Sequence, residues 1–221
     1  MSELLQAIEI ETKPKPSHSV IWLHGLGADG NDFVPIVQQL SLPPLGIRFV
    51  FPHAPMRPVT LNGGFVMRAW YDIVLQDLAM KEDESGLRQS QEMIEQLIAK
   101  EKSRGVPMSR IVIAGFSQGG VIALQTGLRQ PQRLAGVMSL SAYLPLPSKI
   151  EKERNAANQN VPIFLGHGIA DTMVPLSLGI ASRDQLLKLG YDVDWHQYPM
   201  PHSVCAEELE DISAWLTRVL L

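Results

Sequence analysis

The apolar run Ile111-Val112-Ile113-Ala114 breaks into Gly115-Phe116-Ser117-Gln118-Gly119, and Val121-Ile122-Ala123-Leu124-Gln125-Thr126-Gly127-Leu128 continues from it with helical composition. A strand that turns sharply into a helix through G-x-S-x-G is the setting in which this motif forms a nucleophile elbow. The turn forces the serine into a strained backbone conformation. Gly115 and Gly119 leave room for strand and helix to approach each other, which lifts the Ser117 hydroxyl clear of the sheet. An isolated match would read equally well as a serine in an ordinary glycine-rich turn; the flanking strand and helix favour the elbow. A serine hydroxyl is a poor nucleophile until a base takes its proton. The elbow therefore predicts an acid and a histidine further along.

Both follow, in the order Ser, Asp, His. Pro162-Ile163-Phe164-Leu165-Gly166-His167-Gly168 is an apolar strand that breaks into glycine, with Asp171 just beyond it. Val193-Asp194-Trp195-His196-Gln197-Tyr198 alternates as a strand does and runs into Pro199-Met200-Pro201-His202. Ser117, Asp171 and His202 each follow a predicted strand, which in a parallel sheet puts all three at the carboxyl edge, where open α/β folds bind ligands. Asp192 and Asp194 also precede His202, but they lie at or inside a strand, far from its carboxyl end.

Attack on a carbonyl also needs preorganised N–H donors for the oxyanion, each worth about 3 to 4 kcal/mol in comparable enzymes. The backbone N–H of Gln118 is one expected donor. The other is that of Leu26, because Ser19-Val20-Ile21-Trp22-Leu23 runs into the loop His24-Gly25-Leu26-Gly27. A plain strand-to-helix turn is the structural alternative for that loop.

Together, His24-Gly25-Leu26-Gly27 with Gly30-Asn31-Asp32-Phe33, Gly115-Phe116-Ser117-Gln118-Gly119-Gly120, Gly168-Ile169-Ala170-Asp171-Thr172-Met173-Val174-Pro175, and His202 resemble the carboxylesterase/acyl-protein thioesterase (phospholipase/carboxylesterase) family of α/β hydrolases. Arg68-Ala69-Trp70-Tyr71-Asp72 looks like the signature of its bacterial carboxylesterases. The resemblance runs from about Pro16 to Leu221. It implies Ser117 as nucleophile, His202 as base, Asp171 as the orienting acid, and the Leu26 and Gln118 amides as the oxyanion hole. The expected fold is an α/β hydrolase, a mostly parallel sheet with helices on both faces. The expected function is serine carboxylesterase action on short- to medium-chain esters through an acyl-enzyme. Acyl-protein thioesterase or lysophospholipase activity would use the same machinery. A non-catalytic binding scaffold is the reading from another class, but it has no chemical need to keep the triad and the glycine loop together.

Bulk properties fit one ordinary globular domain. The chain has 221 residues, 45% of them hydrophobic and 19% charged. A formal charge of −4 gives nucleic-acid binding no electrostatic support. Cys205 is the sole cysteine, so no internal disulfide forms; placed in the last predicted helix, it reads as a small buried core residue. The N-terminal residues have no basic n-region or apolar core of a signal, and no apolar stretch nears the roughly 18 to 20 residues of a membrane span. The cytoplasm is the expected compartment. The expected partner is a small-molecule ester or thioester or an S-acylated protein, with no nucleic acid and no stable membrane insertion; a homodimer is compatible with the reading. No phosphate-binding loop, G-x-G-x-x-G or zinc-ligand spacing occurs, so neither cofactor nor metal is expected.

Strands are predicted near 20–24, 47–51, 111–115, 135–140, 161–166 and 193–198, with an edge strand at the N-terminus. Helices are predicted near 32–40, 86–104, 118–129, 177–189 and 205–220, and Ser148 to Gln159 as a surface loop or short helix. The stretch from Met56 to Leu78 has no clean period and leaves a strand at the active-site edge. Its Phe65, Trp70 and Tyr71, with Val174 from the acid loop, are the expected apolar wall for an acyl chain. The alternative is that they seal the core beneath. His24 and His167 are placed to support the site; His53 and His196 read as structural.

Overall fold

The computed structural model describes residues 4–76 and 79–221. Seven strands form the central sheet: β1 Ala7–Glu11, β2 His18–Leu23, β3 Ile47–Pro52, β8 Ile111–Phe116, β9 Gly136–Leu140, β10 Ile163–Gly168 and β11 Val193–Tyr198. Their spatial order is β1-β3-β2-β8-β9-β10-β11. Only the edge strand β1 is antiparallel; every other pairing is parallel. This is the α/β-hydrolase arrangement that the sequence predicts.

The inner strands are buried along their length, save half-buried Phe116 at the end of β8, because helices cover both faces. Successive side chains of a strand point to opposite faces. Thus Ile21, Leu23, Ile111 and Ile113 pack with helices α1 (Glu84–Ser103) and α2 (Gln118–Gly127). Val20, Trp22, Val112 and Ala114 pack instead with Ile212, Trp215 and Leu216 of α5 (Ala206–Leu220). The remaining helices are α3 (Pro147–Glu153), which begins the predicted polar excursion, and α4 (Leu176–Lys188).

Three expectations need correction. The segment predicted as a helix at 32–40 is only a 3-10 turn, Val34–Gln38, with a proline at its start. A segment that short gains too few hydrogen bonds to offset helix nucleation. The aperiodic stretch forms two antiparallel pairs: β4 (Met56–Val59) with β5 (Phe65–Arg68), and β6 (Ile73–Gln76) with β7 (Ala79–Glu82). The end of that stretch, residues 77 and 78, lies outside the described residues. Cys205 is half-buried and stands before the first turn of α5 instead of within it, which takes its side chain out of the core. Among the described residues, no helix is long and apolar enough to cross a membrane.

Candidate active site

Ser117 sits between the end of β8 and the first residue of α2 with φ 55° and ψ −123°. A non-glycine residue in this region is strained by roughly 1 to 3 kcal/mol, and such strain persists only where the surroundings over-determine it. Here they do. The Ser117 N–H donates to the Leu140 carbonyl of β9 at 2.9 Å, and its own carbonyl accepts the Val121 N–H at 3.1 Å as the helix begins. The turn is also too tight for side chains beside it. A Cβ on Gly115 would lie 2.2 Å from the Gly119 carbonyl, and one on Gly119 would lie 2.3 Å from the Leu23 carbonyl.

Asp171 and His202 come from the loops after β10 and β11, and the structure brings them together. His202 Nδ1 lies 2.7 Å from Asp171 Oδ2. The other carboxylate oxygen, Oδ1, accepts the backbone N–H groups of Met173 at 2.9 Å and Val174 at 2.8 Å. Asp171 is only 6% exposed. The two loops are stitched by Ile169 N–H to the Tyr198 carbonyl at 2.8 Å and Ala170 N–H to the Met200 carbonyl at 3.1 Å. Gly168 makes the approach possible, since a Cβ there would meet the Met200 and Pro201 carbonyls at 2.4 Å. His167 donates Nε2–H to the Val174 carbonyl at 2.8 Å, which closes the acid loop from beneath. Next to Ser117, the Phe116 ring packs on the His202 imidazole with centroids 4.7 Å apart. The elbow and the histidine loop are therefore in contact.

The loop after β2 meets the elbow at Gly25, whose Cβ position would lie 3.4 Å from Ser117 Cβ. Among the described residues, the backbone N–H groups of Leu26 and Gln118 have no hydrogen-bond acceptor. His24 is buried, and its tautomer is dictated by its partners. Ala54 N–H donates to Nε2 at 3.0 Å, so Nδ1 carries the proton that it gives to the Gly25 carbonyl at 2.7 Å. Burial pulls its pKa down to about 4, so the ring is neutral near pH 7.

The expected acyl wall is placed differently. Trp70 is 0% exposed and Tyr71 3%, both in the core that α1 and α2 cover. Their polar atoms are engaged as well: Trp70 Nε1–H donates to the His24 carbonyl at 2.8 Å, and the Tyr71 hydroxyl meets that of Tyr143 at 3.1 Å. The segment turns inward because its backbone is held by the buried Gln118 amide, so these side chains seal the interior. Phe65 is 69% exposed on β5, and Val174 is half-buried. Met67, from the same aperiodic stretch, has its sulfur 3.8 Å from the Cβ position of Gly27 in the glycine loop. Asp194 is engaged elsewhere, by His196 at 2.8 Å and by Arg218. Among the described residues, no group of three or more His, Cys, Asp or Glu could hold a metal ion.

Comparison with known proteins fits this geometry. The Phospholipase/Carboxylesterase family matches residues 5–220. The chain belongs to the phospholipase/carboxylesterase family. An acyl-protein thioesterase 1 from Mycosarcoma maydis is 41% identical over 222 residues, covering 93% of this chain and 92% of that protein. Among solved structures, Arabidopsis thaliana SOBER1 superposes with a TM-score of 0.86 at 32% identity, covering 92% of this chain and 99% of that one. Zea mays acyl-protein thioesterase 2 gives 0.84 at 27% identity, covering 98% and 100%. Membership of the phospholipase/carboxylesterase family puts the chain among ester and thioester hydrolases.

Proposed function

We propose that the protein is a serine carboxylesterase acting on short- to medium-chain esters through a covalent acyl-enzyme. The observation that carries this reading is the strained Ser117 at the β8–α2 junction, with the Asp171–His202 pair in contact with its elbow. Asp171 accepts from His202 Nδ1, so that Nε2 is the nitrogen free to take the Ser117 proton. Ser117 Oγ then bonds to the substrate carbonyl carbon, whose oxygen becomes an anion within reach of the Leu26 and Gln118 N–H groups. Collapse expels the alcohol, which takes its proton from His202, and leaves the acyl group on Ser117. Water attacks in turn, with His202 again as base, and releases the acid.

Thioester cleavage is the second reading, supported by the acyl-protein thioesterase names of the relatives. The chemistry is the same, with a thiol as leaving group and an S-acylated protein or small thioester as substrate. The lone cysteine fits a reducing compartment such as the cytoplasm.

The test is labelling with a serine-directed phosphonate followed by peptide mass spectrometry. The adduct is expected on Ser117, with turnover of p-nitrophenyl butyrate abolished in proportion. An adduct on Cys205 or on another serine would overturn the assignment. Ser117→Ala should lower kcat by several orders of magnitude with the circular-dichroism spectrum unchanged. Comparing kcat/KM for acyl esters, acyl-CoA and S-acylated peptides decides between ester and thioester.

A further inference from the structure

Trp70 and the Gln118 side chain are more fully bonded than core filling requires, and their bonds tie residues 70–71 to the glycine loop and to the residue after Ser117. The Trp70 backbone N–H donates to Gln118 Oε1 at 3.0 Å, and Gln118 Nε2–H donates to the Tyr71 carbonyl at 3.0 Å. This ties the 70–71 backbone to the residue after the serine. From the same segment, the Trp70 indole N–H reaches the His24 carbonyl at 2.8 Å, and the Arg68 carbonyl accepts the Gly27 N–H at 2.9 Å.

Peptide planarity gives these bonds a direction. The carbonyl of one residue and the N–H of the next lie in one plane and point opposite ways. Holding the His24 carbonyl therefore sets the plane that carries the Gly25 N–H. The His24 imidazole holds the Gly25 carbonyl at 2.7 Å and so aims the Leu26 N–H the opposite way. Holding the Gly27 N–H sets the third plane. Three consecutive peptide planes around Leu26 are pinned, two of them by residues 68–70. The Arg68 guanidinium also holds the Ala54 carbonyl at 2.8 Å, and the Ala54 N–H keys the His24 ring. Direct packing of Gly119 on the Leu23 and His24 carbonyls brings helix and loop close, but packing alone does not fix the rotation of those planes.

We propose that residues 68–71 form a splint that sets the aim of the Leu26 N–H relative to that of Gln118. Trp70 and the Gln118 amide are its positioning residues. The splint touches no substrate and acts through the two backbone donors. The proposal rests on Ser117 being the nucleophile.

Trp70→Phe removes the indole N–H and keeps most of the ring volume, and Gln118→Met removes both amide bonds at nearly constant size. Each variant is titrated with a phosphonate to count active sites. It is then assayed with p-nitrophenyl butyrate and with butylboronic acid, which forms a tetrahedral adduct on the serine. Misaimed donors are expected to lower kcat per titrated site by about 10- to 100-fold, with KM within about twofold. The boronate inhibition constant should rise by a similar factor, because the adduct places an oxygen where the oxyanion sits. A merely structural role would lower the number of titrated sites and leave kcat per site and boronate affinity unchanged; that result overturns the splint. A fall in kcat with unaltered boronate affinity overturns it too. If Trp70→Phe does not fold, Gln118→Glu keeps the acceptor for the Trp70 N–H and is read in the same way on the Tyr71 side. Absence of wild-type labelling at Ser117 would instead refute the underlying assignment of the nucleophile.

Discussion

At the scale of single residues, the Asp171 carboxylate is held so that only one orientation serves the imidazole. Oδ1 takes two backbone N–H groups and Oδ2 faces His202 Nδ1. In Asp171→Asn, turning the amide N–H₂ toward the Met173 and Val174 amides would oppose donors with donors. The N–H₂ is therefore driven toward His202, where it needs an acceptor at Nδ1 and shifts the imidazole proton to Nε2. That tautomer cannot accept from Ser117. Asp171→Asn should thus lower kcat by about three to four orders of magnitude with KM and melting temperature little changed. Asp194→Asn, which disturbs only His196 and Arg218, should stay within about twofold in the same assay. If the two variants lose activity in the opposite order, Asp171 is not the acid. The placement of Ser117, Asp171 and His202 was readable because each follows a strand-like run, apolar or alternating, that ends in glycine or proline, and parallel strands carry such ends to one edge. That of Trp70 was not. An aromatic in an aperiodic stretch reads as pocket wall or as core, and the choice depends on which way the segment folds, here decided by a glutamine 48 positions away.

At the scale of elements, the β4–β5 hairpin is what the sequence hid. Its strands have four residues each, too few to set a period: β4 alternates only from exposed Met56 and Pro58 to half-buried Arg57 and buried Val59, and β5 does not alternate. The central strands and the long helices were legible because burial on both faces leaves continuous apolar runs, and burial on one face leaves helical or alternating periods. The hairpin projects Met56, Leu61, Phe65 and Val66 into solvent, while Ile169 and Met173 stand exposed on the acid loop. With Trp70 and Tyr71 sealed inside, we propose Phe65 and Met67, the latter close to the Gly27 position of the glycine loop, as the hairpin side chains that meet an acyl chain. A buried methylene contributes about 0.8 kcal/mol, roughly a fourfold change in kcat/KM. For p-nitrophenyl esters from acetate to decanoate, kcat/KM should rise with length to a short- or medium-chain optimum. Phe65→Ala should flatten that rise and leave acetate hydrolysis within about twofold. A chain-length profile identical to wild type would put the acyl site elsewhere.

At the scale of the whole molecule, α5 lays a carboxyl group against the sheet without solvating it. Glu208 lies in the first turn of α5, fully buried, and a Cβ on Gly166 of β10 would lie 2.1 Å from its Oε1. Among the described residues neither carboxylate oxygen has a hydrogen-bond partner. Burial, helped by the nearby Asp211 charge, pushes its pKa from 4.5 up to about 8. The consequence for stability has a definite sign. Below about pH 4.5 the group is protonated both folded and unfolded, and it has no effect on the pH dependence. Between about 4.5 and 8 the unfolded chain releases a proton that the folded chain keeps, so folding loses stability as pH rises, by at most about 1.4 kcal/mol per pH unit. Above about 8 both states are ionised and the loss levels off. Glu208→Gln mimics the protonated form and does not titrate. Its stability relative to wild type, measured by urea denaturation from pH 4 to 9, should start near zero, widen through that window and then become constant. Taking the difference between the two proteins cancels the titrations that they share, including those of the six histidines. A stability difference that does not change with pH would mean that Glu208 is solvated in the folded protein and that the helix after His202 does not rest on a neutral carboxyl.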